Sequence, residues 1–263
     1  MRIALGLEYD GGAFCGWQTQ PSGCGVQDHL QKALAQFLAA PVEVTAAGRT
    51  DTGVHATAQV VHFDSPVQRD AYSWVRGTNS CADPHLRVLW AAEVPDGFHA
   101  RYAARSRTYR YLLVDAPVAP AVLRGRVGWH HQPLDVATMN EAARALAGEH
   151  DFTSFRDSQC QAKSPVRNLG EIRVERAGGL VVFTFRANAF LHHMVRNIVG
   201  SLVYVGAGRQ PAGWIAELLE LNDRRHAAPT FMPDGLYLAA VEYDPAFALP
   251  PFPRHPLVDF PPP

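Results

Sequence analysis

Residues 47–63 read AGRTDTGVHATAQVVHF, and they join two kinds of local structure. The closing AQVVHF is rich in β-branched and apolar residues and predicts a strand. The opening GRTDTG predicts a turn, because an aspartate can bond its own backbone and a glycine can take positive φ. A Thr-Asp-Thr-Gly turn read alone is more readily a polar link between strands. Three features favour a carboxylate held for chemistry. Arg49 sets a cation two residues before Asp51, His55 adds a polar group four residues after it, and Gly48 and Gly53 permit close backbone approach by a ligand.

Upstream of this stretch, RIALGLEY (2–9) alternates apolar and other residues, the pattern of a half-buried strand. The glycines and proline of DGGAFCGWQTQPSGCG predict a loop. Val26, Leu30, Leu34, Phe37 and Leu38 recur at helical spacing through VQDHLQKALAQFL, Pro41 ends that helix, and VEVTAA begins a strand. Downstream, a helix is predicted around DAYSWVRGTN and a strand at LRVLWAAEV. The second half follows a similar outline. SRTYRYLLV predicts a strand, Asp135 caps a helix running through Met139, Ala142, Ala143 and Leu146, and LGEIRVER and LVVFTFRA predict strands joined at AGG. A long helix over AFLHHMVRNIVGSLVYVG, a helix at WIAELLEL and a last strand at GLYLAAVEY complete the pattern. The expected fold is therefore α+β. Two split β-α-β (ferredoxin-like) halves, 1–103 and 104–247, surround a mainly antiparallel sheet with helices on one face and a central active-site cleft. The tail 248–263, with seven prolines in its last fourteen residues, is expected to be flexible.

At 263 residues the chain can bury a substantial core, and 47% hydrophobic with 19% charged residues marks it as globular. No run reaches the length of a membrane span and the N-terminus lacks a signal-peptide build, so a cytoplasmic location is expected. Cys15, Cys24, Cys81 and Cys160 form no C-x-x-C pair and are expected to be reduced. Net charge is −1, so bulk electrostatics do not announce a nucleic-acid binder. Of 24 basic residues only Lys32 and Lys163 are lysines. Arginine's planar fork suits phosphate and base edges, although a codon bias toward arginine and alanine accounts for the same skew.

Two further segments carry candidate chemistry. Tyr109 and Tyr111 share one face of a strand with Arg107 and Arg110 beside them. They read either as core aromatics under arginine stems or as a stacking face for a base. In NAFLHHMVRNIVG (188–200), His192, Arg196 and Val199 fall on one helical face that is otherwise apolar. A buried guanidinium needs a partner, so Arg196 either reaches solvent or pairs with a carboxylate from the other half. The pairs His130–His131 and His192–His193 diverge in direction and match no metal motif, and no glycine-rich phosphate loop is present. Neither a metal nor a nucleotide cofactor is expected. Between 101 and 126, Arg101, Arg105, Arg107, Arg110, Arg124 and Arg126 face a single acid, Asp115. This is the candidate phosphate-binding stripe, with Arg167 as a further RNA contact.

GRTDTGVHA resembles a motif of the transfer-RNA pseudouridine synthase A family. The resemblance continues through LEYDGGAFCGWQTQP, GVQDHLQKAL, FHARYAARSRTYRY, DFTSFR, SPVRN and NAFLHHMVRNIVGSL, over about the first 240 residues. It implies that Asp51 is the catalytic aspartate and that Tyr109 stacks on the target base. It further implies that Arg196 pairs with the acid, and that Arg49, with His55 beside it, contacts the flipped nucleotide or its backbone. The implied substrates are uridines 38, 39 and 40 of the tRNA anticodon stem–loop, and the implied enzyme is a homodimer without metal or organic cofactor. Thr52 stands where alanine is commoner, and GTNSCADPHLRV replaces a more usual V-N-x-x-L-P loop. Two rival classes share these residues. One is a catalytically idle tRNA-binding protein or RNA chaperone on the same fold, and the other is a nucleoside hydrolase using Asp51.

Overall fold

A computed structural model describes residues 1–258. Its contacts fall into two units, Met1–Arg105 together with the chain from Tyr237 onward, and Ser106–Leu236. The first begins with β1 (Arg2–Tyr9), followed by α1 (Val26–Leu38), β2 (Thr45–Ala46), β3 (His55–Asp64), α2 (Ala71–Cys81) and β4 (Leu86–Val94). Strand β1 lies antiparallel between β3 and β4, so β3 and β4 run parallel with α2 crossing between them. That is a split β-α-β unit, as the order of elements predicts. The N-terminal half was expected to end at 103, and the division falls two residues later.

Both faces of this sheet are covered. On one, Phe63 of β3 meets Trp74 of α2 at 5.4 Å between ring centres, and Phe37 of α1 meets the same indole at 5.7 Å. On the other, Ala4, Val60, Trp90, Val94 and Phe98 form a core against which Val241, Tyr243, Phe247, Leu249 and Phe252 pack. Strand β1 is consequently buried from Ile3 to Leu7 without alternation, where its sequence predicted a half-buried strand. The small residues Ala4 and Gly6, flanked by Arg2 and Glu8, made the second apolar face hard to see. A β-carbon on Gly6 would lie 2.1 Å from the Trp90 ring, so the indole occupies the space that a side chain would take.

The second face is covered by the C-terminal chain, which the expected boundaries placed in the other half and in a flexible tail. After the second unit, β10 (Leu236–Glu242) pairs in parallel with β3, Tyr237 opposite His55 and Leu238 opposite Ala56. The chain then continues over the Trp90 face. Phe247 meets Phe98 at 5.1 Å, Phe252 meets Trp90 at 5.3 Å, and Val258 is buried. Proline dominates the composition here, but aromatics spaced between the prolines have an uncovered core to enter. The remainder of the proline-rich stretch, 259–263, lies outside the described residues.

The second unit contains β5 (Ser106–Asp115), β6 (Gly128–His130), α3 (Val136–Ala143), β7 (Gly148–Asp151), β8 (Val166–Ala177), β9 (Leu180–Ala187), α4 (Met194–Gly206) and α5 (Trp214–Leu221). Strands β5, β9, β8 and β7 pair antiparallel in that order, and β6 adds in parallel to β5. The mixed α+β class with mainly antiparallel strands is as expected. Asp135 caps α3, its carboxylate accepting the Thr138 amide at 3.0 Å. Gly206 lets α4 approach that helix, since a β-carbon there would lie 2.6 Å from the Met139 sulfur.

Helix α4 starts at Met194, not at Ala189 as its apolar run suggested. His193 has φ 60°, outside the helical region, and the Met194 amide bonds the Leu191 carbonyl in a turn. The Asn188 side chain accepts the Ala189 and Asn168 amides at 2.8 and 3.2 Å, which favours a bend over a helical first turn. His192 therefore sits before the helix and does not share its face with Arg196. Removing the Phe252 ring should cost about 1–3 kcal/mol, a partial-burial fraction of the usual aromatic deletion, and lower the melting temperature by several degrees. Thermal unfolding of Phe252→Ala measures this, and an unchanged midpoint would show the tail contact to be idle.

Candidate active site

Asp51 lies in the turn that leads into β3, half-buried, with its carbonyl accepting the Val54 amide at 3.1 Å. The loop that follows β1 forms the seat of this turn. At Gly11 a β-carbon would lie 2.0 Å from the Val54 carbonyl oxygen, and at Gly16, where φ is +87°, 2.9 Å from the Thr50 oxygen. Backbone thus rests directly on backbone, and the Trp17 amide donates to the Thr50 carbonyl at 2.9 Å. Thr52 is exposed on the outer side of the turn, where its difference from alanine leaves the acid's support unchanged.

The same loop overturns one cysteine expectation. Cys15 and Cys24 are joined by a disulfide, with α-carbons 5.4 Å apart. Sequence spacing gave no warning because the pair is not a short motif. The loop folds back so that Cys15 donates to the Cys24 carbonyl at 2.9 Å, Val26 to Gly16 at 3.0 Å and Gln27 to Trp17 at 2.9 Å, which brings the two side chains face to face. Among the described residues, Cys81 and Cys160 remain thiols, as expected.

His55, 2% exposed, is tied to the same loop. Its Nδ1 lies 3.2 Å from the Asp10 carboxylate and 3.1 Å from the Gly11 amide, and its ring stacks on Tyr237 at 4.8 Å. The ring ties the start of β3 to the loop after β1, within the first unit. Asp10 was read only as a loop residue, and its neighbouring glycine pair was the one signal for it. Two further residues read as strand positions also reach the turn. The Tyr9 hydroxyl lies 2.8 Å from the Thr50 hydroxyl, and the Gln59 amide donates to the Gly48 carbonyl at 2.7 Å. Arg49, between those anchors, is exposed.

In the second unit, Tyr109 and Tyr111 share a face of β5 but differ in use. The Tyr111 ring is fully buried and its hydroxyl donates to the Met232 carbonyl at 2.9 Å, a core role. Tyr109 is 8% exposed and meets Phe190 edge-on at 5.0 Å, which fixes its ring plane. Arg107 is buried, donating to the Asn188 carbonyl at 2.8 Å, and so braces the segment before α4. Arg101, Arg105 and Arg124 are exposed, while Arg110, Arg126 and Arg167 are half-buried. Arg105 is ion-paired with Asp244, and Arg167 donates to the Ser164 and Val166 carbonyls at 3.0 and 2.6 Å. Arg196, in the first turn of α4, is half-buried and donates from Nε to the Phe231 carbonyl at 2.8 Å.

The sequence also gave no sign of Asp157, which accepts from His193 at 2.8 Å and lies 3.6 Å from the His192 ring. Burial pushes its carboxyl up, but the Gln159 amide and the His193 ring beside it outweigh this and hold it below the usual value. Asp115, the single acid of the arginine stripe, is already engaged. Arg176 grips it with two bonds of 2.9 and 2.7 Å, and that guanidinium holds its carboxyl below the ordinary range.

Residues 7–103 and 142–244 match the family described as tRNA pseudouridine synthase, covering the Asp51 turn in one segment and Arg196 in the other. The chain belongs to that family. Its relatives include proteins named tRNA pseudouridine synthase A from Burkholderia mallei (strain SAVP1), Burkholderia thailandensis and Burkholderia cenocepacia (strain HI2424). To each it is 59% identical over 251 residues, which span 95% of this chain and 93% of theirs. Among the described residues, no helix is long and apolar enough to cross a membrane.

Because the disulfide closes a short loop, Cys15→Ser should lower unfolding stability by up to about 2–3 kcal/mol. A thiol reductant should produce the same loss in the parent and none in the variant. Equal denaturation midpoints for oxidised and reduced parent would show that the backbone bonds alone hold the loop.

Proposed function

We propose that this protein isomerises uridine to pseudouridine at positions 38, 39 and 40 of the tRNA anticodon stem–loop. The observation that carries the reading is an acid on a backbone-supported turn in a chain that belongs, through both halves, to the pseudouridine synthase family. The reaction breaks the N1–C1′ bond, turns the uracil and joins C5 to C1′, after which C5 gives its proton to solvent and N1 takes one up. Its atoms balance without an oxidant, a reductant or an activated donor, which agrees with a sequence that offers no cofactor motif. A stacked nucleotide hides C1′, so the target must be extruded at a cost of a few kcal/mol.

In this reading Asp51 acts as a carboxylate at the sugar, either attacking C1′ or removing a sugar proton to give a glycal. Tyr109 stacks on the uracil, and its edge contact with Phe190 supports a fixed ring plane. Arg196 supplies the countercharge to the acid, and exposed Arg49 contacts the nucleotide or the neighbouring backbone, with His55 supporting the turn that carries both. Phosphates fall to Arg101, Arg105, Arg110, Arg124, Arg126 and Arg167, while Arg107 is left out because it is buried against Asn188. The enzyme works in the cytoplasm as a homodimer, without a metal.

Tritium release from tRNA carrying 5-tritiated uridine tests the assignment. Asp51→Asn keeps the shape and removes the charge, and should lower the rate about a hundredfold or more. Arg196→Ala should convert more slowly with tRNA still bound. Full activity of Asp51→Asn would remove the acid from the mechanism. Inactivity of the parent with tRNA bound would favour an idle binding protein, and release of free uracil a hydrolase. Affinity for tRNA should fall steeply as salt rises, because phosphate contacts release counterions, and a flat response would sink the arginine stripe.

A further inference from the structure

Three buried side chains form a hydrogen-bond chain beneath the Asp51 turn, and the mechanism above uses none of them. Gln59 is wholly buried in β3, where an amide side chain is costly unless its groups are paired. Its Nε2 donates to the Gly48 carbonyl at 2.7 Å and lies 3.4 Å from the Tyr9 hydroxyl, while its Oε1 accepts the Val60 amide at 3.2 Å. The Tyr9 hydroxyl is 4% exposed by residue and lies 2.8 Å from Oγ1 of Thr50, itself 7% exposed.

The chemistry of the groups sets the direction of one link. An amide nitrogen can only donate, so the Tyr9 oxygen accepts from Gln59, while either hydroxyl can donate in the Tyr9–Thr50 bond. Burial pushes the Tyr9 phenol up to about 12, so it keeps its proton at any working pH. The pairing of β1 with β3 explains how the phenol reaches the turn. Leu7 stands opposite Gln59, but the register shifts before Tyr9, which stands opposite Ala56. Such an irregularity turns a side chain away from its regular direction.

The anchors fall on Gly48 and Thr50, the residues on either side of Arg49 and immediately before Asp51. We propose that Tyr9 and Gln59 are positioning residues of the isomerisation. Their hydrogen-bond chain fixes the backbone at Gly48 and Thr50 and thereby aims both the Arg49 guanidinium and the Asp51 carboxylate. The inference rests on the catalytic reading of Asp51. A misplacement of about 1 Å at a reacting group can cost on the order of a hundredfold in rate, so one hydroxyl at this place carries leverage that its stability contribution does not.

The test is a set of single-atom changes, measured by tritium release under single-turnover conditions with enzyme in excess, well below the melting transition. Tyr9→Phe removes one oxygen and keeps the ring, and Thr50→Val removes the hydroxyl that faces it. Each should lower the rate about tenfold or more while tRNA affinity stays within roughly twofold, a split that a loss of folded protein does not produce. The double variant should be no slower than the slower single variant, because both changes cut the same bond. Thr50→Ser restores a hydroxyl and should recover most of the rate. Gln59→Glu, which replaces the donor with an acceptor facing the Gly48 carbonyl, should fall with the others. Parent-like rates for Tyr9→Phe and Thr50→Val, or losses that simply add, would overturn the proposal, as would a fall explained by the folded fraction in circular dichroism. If Asp51→Asn is inactive while these variants are unaffected, only this inference fails. If Asp51→Asn is itself fully active, the catalytic reading fails and this inference falls with it.

Discussion

The contact between two stretches of bare backbone, the loop after β1 and the turn before β3, governs the rest of this structure. A β-carbon at Gly11 would overlap the Val54 carbonyl, and Gly16 lies against Thr50 and Asp51 with φ in the left-handed region. Contacts this close admit no side chain and little play. They also need the sheet. Because β1 and β3 are antiparallel neighbours, the end of one meets the beginning of the other, and the two connecting segments leave from the same edge. The loop then closes on itself through the Cys15–Cys24 link and the bonds from Val26 and Gln27. An acid on an ordinary surface turn would sample many poses, whereas this one inherits the rigidity of a sheet covered on both faces.

Several arginines serve the fold itself, and the bulk count does not single them out. Arg2 holds Asp64 with two bonds of 2.9 Å, Arg176 holds Asp115, and Arg107 braces the Asn188 carbonyl. Arg2 and Arg176 exploit the planar fork, at positions where lysine could not offer two parallel donors, and Arg107 braces the backbone through one. Once these are set aside, Arg49, Arg101, Arg105 and Arg124 are among the arginines that keep exposed surface, a distinction that the net charge of −1 does not convey. Asp115, counted from the sequence as the acid opposing the stripe, is neutralised by Arg176 and opposes little.

Local elements were legible wherever their signal was local. Helix α1 occupies Val26–Leu38, the span its apolar spacing marks, and β4 occupies Leu86–Val94 as predicted. The Asp135 cap forms as expected because a cap is decided within four residues. Errors arose where a distant partner decides. An apolar run suggested a helix from Ala189, but the Asn188 side chain and the left-handed His193 delay it to Met194. Proline density gave no sign of the contact between Phe252 and Trp90, whose indole lies far away in sequence on β4. Cys15 and Cys24 gave no motif, because the loop between these positions, nine apart in sequence, had to fold before their proximity existed.

The sequence by itself determined the class of the fold, the family and the presence of an acid on a glycine-bracketed turn, since periodicity and contiguous motifs are written in neighbouring residues. Tertiary structure alone decided which side chains support that acid. Tyr9, Asp10, His55 and Gln59 come from two strands and a loop, and their common address depends on strand pairing and on one register shift. Such a hydrogen-bond chain has no sequence period, because its members are joined across the sheet and not along the chain.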